Sequence, residues 1–307
     1  MTKRIIRIAT RKSPLALWQA NHVRQLLLQH WPDRVFELVP LVTSGDQFLK
    51  DTLQAVGGKG LFVKELEEAM LDKRACLAVH SSKDMPVDFP PGLFLAAVCT
   101  RDNPFDAFVS NQYATIDALP PKAIVGTASL RRQSQLLAYR PDLDIQSLRG
   151  NVNTRLAKLD SGDYQAIILA AAGLERLGFE DRITQILPQD IMLPSCGQGT
   201  LCIESRVDDM EIQELVSPLN DPLSALCLKT ERQVNAQLGG NCHTPLAVFS
   251  QVLEQKFILK AKLSTPDGRL CIEDYQQGPL SAALSLASQC ATALLNKGAA
   301  KLLEHGS

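Results

Sequence analysis

Short β-rich runs and amphipathic runs alternate through the first two-thirds of the chain. IIRIAT (5–10) reads as a strand. Ser13 can cap the helix that follows, with Pro14 at its first position, where a missing N–H costs nothing. That helix should run to about His30, ahead of Trp31-Pro32. FELVPLVTS (36–44) predicts a second strand, and FVKELEEAML (62–71), with apolar residues at i, i+3 and i+4, predicts a helix. CLAVHS (76–81) and LFLAAVC (93–99) predict further strands. Such alternation predicts an α/β domain with a mainly parallel sheet.

The pattern then restarts. AIVGTAS (123–129) predicts a strand and a small-residue turn before a helix that starts near Leu130 and is capped by Ser129. DIQSLRG (144–150) leads to a helix near Val152, and YQAIILA (164–170) leads to AAGLERLG (171–178). A second α/β domain over residues 103–193 is the economical reading. CGQGTLCIES (196–205) holds another strand, which can return to the first domain; that domain is then 1–99 with 200–217. From 221 to 307 the character changes to α+β. A helix runs from Asp221-Pro222 to Leu238, and VFSQVLEQKFILKAKLST (248–265) and RLCIEDY (269–275) predict strands around the Pro266-Asp267-Gly268 turn. A last helix is expected over 280–304.

Composition adds limits. A chain of 307 residues has room for two or three domains, and 45% hydrophobic residues exclude global disorder. Lys plus Arg, 32, against Asp plus Glu, 33, gives a net charge of -1, which argues against a large basic nucleic-acid surface. With only 5% aromatic residues, stacking platforms for bases are scarce. The 8 cysteines include no CxxC pair, which fits a reducing compartment better than a disulfide scaffold. Arg11 and Lys12 interrupt any apolar signal segment. The uncharged stretch 275–296 is too rich in Gln, Ser, Gly and Pro to span a membrane. A soluble cytoplasmic protein, without nucleic-acid or membrane partner, is expected.

Arginines stand where they should not help the fold. Arg131 and Arg132 fall in the first turn of a helix, where unpaired N–H groups and the helix dipole already make the end electropositive. A bound anion would reverse the sign, drawing on backbone donors and two guanidinium forks. Arg11, Arg149 and Arg155 stand at other strand-to-helix junctions, where open α/β sheets bind ligands. Arginine rather than lysine points to planar carboxylates or phosphates.

Other segments carry weaker chemistry. Lys59 in VGGKG (56–60) lacks a nucleotide-loop arrangement and is read as a lysine presented by a loop. Gly197 and Gly199 are a fragment of a dinucleotide fingerprint, and Asp46 is a turn residue. HSSKDMP (80–86) combines Lys83 and Asp84 after a strand; an aspartate near cations stays ionised and can stabilise a developing cation or move a proton. His80 is structural if it points inward. Cys242 in GGNCHTP (239–245) sits in a loop, unlike most of the cysteines, which lie in apolar runs, and could be a nucleophile or covalent anchor.

Taken together, IRIATRKSPLALWQA (6–20), GGKGLFVKELE (57–67), HSSKDMP, VGTASLRRQ (125–133), LRGNVNTRL (148–156), ILAAAGLERLG (168–178), GQGTLCIE (197–204) and GGNCHTP resemble the hydroxymethylbilane synthase (porphobilinogen deaminase) family across essentially the whole chain. The resemblance implies two doubly wound, periplasmic-binding-protein-like α/β domains and a small C-terminal α+β domain. It implies a dipyrromethane cofactor on Cys242 through a thioether, and head-to-tail condensation of four porphobilinogens with loss of ammonia. Asp84 matches the family's central carboxylate. Lys59, Lys83, Thr127, Ser129, Arg131 and Arg132 match cofactor-binding positions, and Arg11, Ser13, Arg149, Arg155 and Arg176 match substrate-binding ones. A monomer without a metal is implied. Ser44, Ser82, Thr200, His243 and Thr244 depart from common family spellings at supporting positions.

Three other classes share some of these features. A dicarboxylate- or phosphate-binding module would use the same arginines without an adduct on Cys242. A transcription regulator would need a DNA-reading element, and a cysteine hydrolase would need a base aimed at Cys242.

Overall fold

A computed structural model describes residues 4–44, 63–86, 88–240 and 244–304. Asp46, Lys59 and its VGGKG segment, Cys242 and His243 lie outside the described residues. The chain divides into two compact units, residues 1–102 with 200–225 and residues 103–199 with 226–307.

In the first unit, β1 (Ile5–Arg11), β2 (Val35–Leu41), β3 (Leu77–Ser81), β4 (Leu93–Val98) and Leu201–Arg206, β10 in chain order, form one sheet ordered β2-β1-β3-β10-β4. β1 is parallel to β2 and β3, while β10 runs antiparallel between β3 and β4. The predicted return of the 200–205 strand is therefore observed. Period-two alternation sends Ile6 and Ile8 to the face covered by α1 (Pro14–His30), with its Ala20, Val23 and Leu27. Ala9 and Ala78 face α2 (Lys64–Leu71), with its Leu66, Ala69 and Met70. Each fully buried Leu or Val contributes roughly 1.5–3 kcal/mol. β2 stops at Leu41, short of the predicted Ser44, because its only neighbour β1 ends at Arg11. Ser44 instead donates its N–H to Glu65 Oε1 at 2.7 Å.

The second unit repeats the plan. β5 (Asp106–Val109), β6 (Ile124–Gly126), β7 (Asp144–Gln146), β8 (Ala166–Ala170) and β9 (Gln185–Ile186) are ordered β7-β6-β8-β5-β9. β6 is parallel to β7 and β8, and β5 is the antiparallel strand. Both sheets are thus doubly wound, with helices α3 (Leu130–Tyr139), α4 (Val152–Asp160) and α5 (Ala171–Glu175) connecting the second.

The C-terminal part has its own antiparallel sheet, β11 (Leu246–Leu253), β12 (Lys256–Ser264) and β13 (Cys271–Pro279). After α6 (Met210–Val216), α7 (Pro222–Gln237) and α8 (Ala283–Asn296) supply Val234, Leu286 and Leu294 to a core with Val248, Phe257 and Leu259. The run predicted as one strand over 248–265 is folded into a hairpin at Glu254-Gln255, whose φ values are 49° and 63°. No Gly or Asn marks that turn. The predicted 280–304 helix divides at Lys297-Gly298 into α8 and α9 (Ala299–Glu304). Alternate residues of β11, Ala247 and Phe249, pack on Leu193 and Phe105 of the second α/β layer.

The 265–268 turn docks on α3. Gln133 Nε2 donates to Pro266 O at 3.3 Å, and Gly268 has φ 72°. A Cβ there would sit 2.4 Å from Ser134 O and 2.6 Å from Ala138 N, both backbone atoms. Gly162 also has positive φ, 86°, but open space around it. Gly162→Ala should cost only its backbone penalty, about 1 kcal/mol. Gly268→Ala should cost about 1–3 kcal/mol more, because helix and turn must separate. Urea denaturation of the two variants measures the difference; equal losses would mean the turn does not bear on α3.

Candidate active site

In the first unit the candidate residues follow the carboxyl ends of adjacent parallel strands. β1 ends at Arg11; Ser13 then caps α1, accepting a hydrogen bond from Ala16 N at 3.3 Å, with Pro14 at the first turn as predicted. β3 runs into a single 3₁₀ turn, Ser82–Asp84. Ser82 N donates to Thr200 O at 3.0 Å, and Met85 N donates to Ser82 O at 3.1 Å. Ser82 and Met85 are buried, so Lys83 and Asp84 between them project outward and are exposed. The Asp84 carboxylate has no hydrogen bond among the described residues. Arg11, Ser13, Gln19, His80, Ser81 and Asp84 line one cavity of about 50 Å³.

A larger recess, about 440 Å³, opens among Arg4, Arg7, Lys73 and Arg206. It lies at the amino end of β1, away from the edge where such sheets bind ligands. Arg4 and Arg206 are already paired there with Asp209 at 2.6 and 2.7 Å.

The Thr200 departure has a local account. Its hydroxyl accepts from Arg101 Nε at 3.1 Å, bracing the strand start that holds the Asp84 turn. Nothing in the structure explains Ser82, whose buried hydroxyl lacks a hydrogen-bond partner among the described residues.

In the second unit the residues again follow three neighbouring parallel strands. Thr127 and Ser129 follow β6, Arg149 follows β7, and Arg176 follows β8 and α5. Ser129 occupies the cap position of α3, but its side chain makes no cap bond; its N–H donates to Thr127 Oγ1 at 3.2 Å. The helix after β7 is capped by Asn151, which accepts from Thr154 N at 2.9 Å. Arg155 Nε donates to Gly150 O at 2.7 Å, and buried Arg176 donates to Gly199 O at 2.8 Å. The Arg149 side chain is half-buried, with no hydrogen bond or ion pair to the described residues.

The arginine pair corrects the expectation of an external anion as the sole counter-charge on α3. Arg131 and Arg132 are only 5% and 6% exposed, and the chain supplies its own anion, Asp106, at 0%. Arg131 Nη1 donates to Asp106 Oδ2 at 2.7 Å, and Arg132 Nε and Nη2 donate to Oδ1 at 2.9 and 2.7 Å. Gln198 Nε2 adds a bond to Oδ1 at 3.1 Å, and Arg132 Nη1 and Arg131 Nη1 reach Ile168 O and Leu193 O. Burial opposes ionisation of Asp106, yet the two guanidiniums outweigh it and hold the carboxyl well below its usual range. Buried cations need this pairing. One carboxylate against two guanidiniums nevertheless leaves one positive charge in excess beside the carboxyl edge of the sheet. Asp106, the buried counter-ion of both arginines, is a residue that the sequence reading missed.

Two family models and curated relatives match the chain over most of its length. A family model described as "Porphobilinogen deaminase, dipyromethane cofactor binding domain" matches residues 6–214, and "Porphobilinogen deaminase, C-terminal domain" matches residues 225–296. Porphobilinogen deaminases of Legionella pneumophila strains Philadelphia 1 and Paris are each 63% identical over 304 residues, covering 99% of this chain and 98% of theirs. Among solved structures, a periplasmic substrate-binding protein of an ABC transporter from Coxiella burnetii is 13% identical, covering 72% of this chain and 94% of that one, with a TM-score of 0.44. No helix among the described residues is long and apolar enough to cross a membrane. With its motifs in order from Arg11 to Cys242 and both family models matched along its length, the chain belongs to the porphobilinogen deaminase family.

Proposed function

We propose that the chain is a hydroxymethylbilane synthase, joining four porphobilinogens head to tail with loss of one ammonia per addition and releasing 1-hydroxymethylbilane. One observation carries this reading: Asp84, exposed and unbonded among the described residues, shares a cavity with Arg11 and Ser13 at the carboxyl edge of the first sheet. A free carboxylate beside a guanidinium suits a substrate that brings both a pyrrole N–H and carboxylates.

A dipyrromethane on Cys242 would supply the primer ring whose free α-carbon accepts the first substrate. The donor set fits such a group, which carries an acetate and a propionate on each ring. Arg131 and Arg132 retain excess positive charge over Asp106, Thr127 and Ser129 follow β6 in the same unit, and Lys83 follows β3 in the first unit, with Lys59 completing the set by resemblance. Arg11, Ser13, Arg149, Arg155 and Arg176 take the carboxylates of arriving substrate. Their guanidinium forks fix the ring while leaving its reactive carbon free.

Asp84 then has two tasks. Loss of ammonia from the aminomethyl carbon of porphobilinogen leaves a cation spread onto the pyrrole nitrogen, and a carboxylate facing that N–H stabilises it. After the terminal pyrrole of the growing chain attacks the exocyclic carbon and the new carbon–carbon bond forms, that attacking ring must lose its α-proton, which Asp84 accepts. The protein acts as a cytoplasmic monomer without nucleic acid or membrane.

Incubation with porphobilinogen should release ammonia and yield an uncyclised tetrapyrrole. Intact mass of protein made with substrate available should exceed the chain mass by a dipyrrole, and peptide mapping should place it on Cys242. Unmodified protein that frees no ammonia would overturn the assignment.

A further inference from the structure

Behind the Lys83–Asp84 turn lies a polar cluster that these steps do not use. His80 of β3 is 5% exposed and Glu204 of β10 is 0% exposed, with His80 Nε2 lying 3.0 Å from Glu204 Oε2. The two groups are not aligned for a hydrogen bond. Among the described residues, His80 Nε2, both Glu204 oxygens and Glu67 Oε1 all lack a hydrogen-bond partner while these atoms are buried. Native structures leave few such atoms, and clusters of them point to function. Attraction between poorly solvated charges is what remains to hold them, and a low local dielectric strengthens it.

Glu67 comes from α2, which packs on β1, β3 and β10. Burial first, then the charge of Glu204, pushes its carboxyl up from 4.5 to about 7, while His80 opposes the rise. The charged groups on the surrounding elements are Arg7 and Arg11 of β1, His80 of β3, Glu204 and Arg206 of β10, and Lys64, Glu65 and Glu68 of α2 itself. Arg206 is engaged by Asp208, Asp209 and the Met70 and Ala75 carbonyls, and Glu65 by Ser44. His80 is the member of the cluster that also lines the cavity holding Asp84.

We propose, building on the role given to Asp84 above, that Glu67, His80 and Glu204 form a buried proton-sharing cluster that sets the electrostatic potential at Asp84, with His80 as the positioning residue between the two. His80 and Asp84 line the same cavity of about 50 Å³, so the charge of the cluster reaches Asp84 through His80. With Glu67 ionised, the cluster carries one more negative charge and favours the cationic species formed at Asp84. Protonation of Glu67 removes that charge.

The test is the pH profile of kcat in the cofactor-loaded enzyme. Wild type should lose about 3- to 20-fold in kcat as pH falls through about 7, the value to which Glu67 is raised. Glu67→Gln should sit at the acid-limb rate throughout, with no inflection and with KM unchanged. His80→Gln should move the inflection upward, because the side chain that opposes the rise at Glu67 is gone. Stability gives a readout independent of turnover. The folded chain holds the Glu67 proton more tightly than the unfolded chain, so stability from this group is full below 4.5 and is lost as pH rises to about 7. Glu67→Gln should abolish that slope in urea denaturation. An unchanged kcat inflection in both variants, with wild type active on porphobilinogen, overturns the cluster alone; a wild type that frees no ammonia overturns the reading of Asp84 beneath it.

Discussion

Asp84→Asn should leave a folded protein that releases ammonia from porphobilinogen roughly 10²–10⁴-fold more slowly than wild type. Folding should survive because the turn does not depend on this carboxylate. Asp84 is exposed and makes no hydrogen bond among the described residues, while Ser82 N–Thr200 O, Met85 N–Ser82 O and two buried neighbours hold the backbone. Asparagine keeps the shape but removes both the negative charge and the proton acceptor. The loss should fall on kcat, since carboxylate binding rests on the arginines; a group that only bound substrate would raise KM and spare kcat. Single-turnover ammonia release, with a thermal melt on the same sample, separates the two. Undiminished turnover by a folded Asp84→Asn protein would remove this residue from the chemistry.

What the sequence disclosed about this site follows from how local each signal is. Ser13 and Pro14 announce a helix start through contacts within one turn, and the cap bond to Ala16 N is present. The 82–84 turn was legible because a strand pattern stops before two charged residues. The partners of Arg131 and Arg132 were not legible. Asp106 opens a four-residue strand whose positions are all buried, so it has no alternation to mark it. A charged residue at the head of DAFV, in a chain with two adjacent arginines lacking a counter-ion, was the available clue. Glu204 was hidden in the same way inside LCIES, all of it buried, and meets His80 only because β10 returns to pair with β3. The hairpin at Glu254-Gln255 was missed because neither residue favours positive φ, and strand pairing imposes it.

The arginine pair gives the second large effect. Asp106→Asn should destabilise the protein by about 3–5 kcal/mol, since it strands two buried guanidiniums without their anion. Asn can still accept from one donor, but it cannot offset charge. The acid limb provides a check on cause. Asp106 is held below its ordinary 3.8, so its stabilisation is complete above that value and is lost as pH falls further. Wild-type stability should therefore drop below about pH 4, and Asp106→Asn should remove this contribution to the slope. Arg132→Lys makes the complementary case: one ammonium cannot reproduce the paired Nε and Nη2 bonds to Oδ1 together with the bond to Ile168 O. If Asp106→Asn lost less than about 1 kcal/mol, the ion cluster would not be holding α3 in place. Its excess charge would then act only when a carboxylate-bearing ligand arrives, and the arginines would owe their position to packing alone.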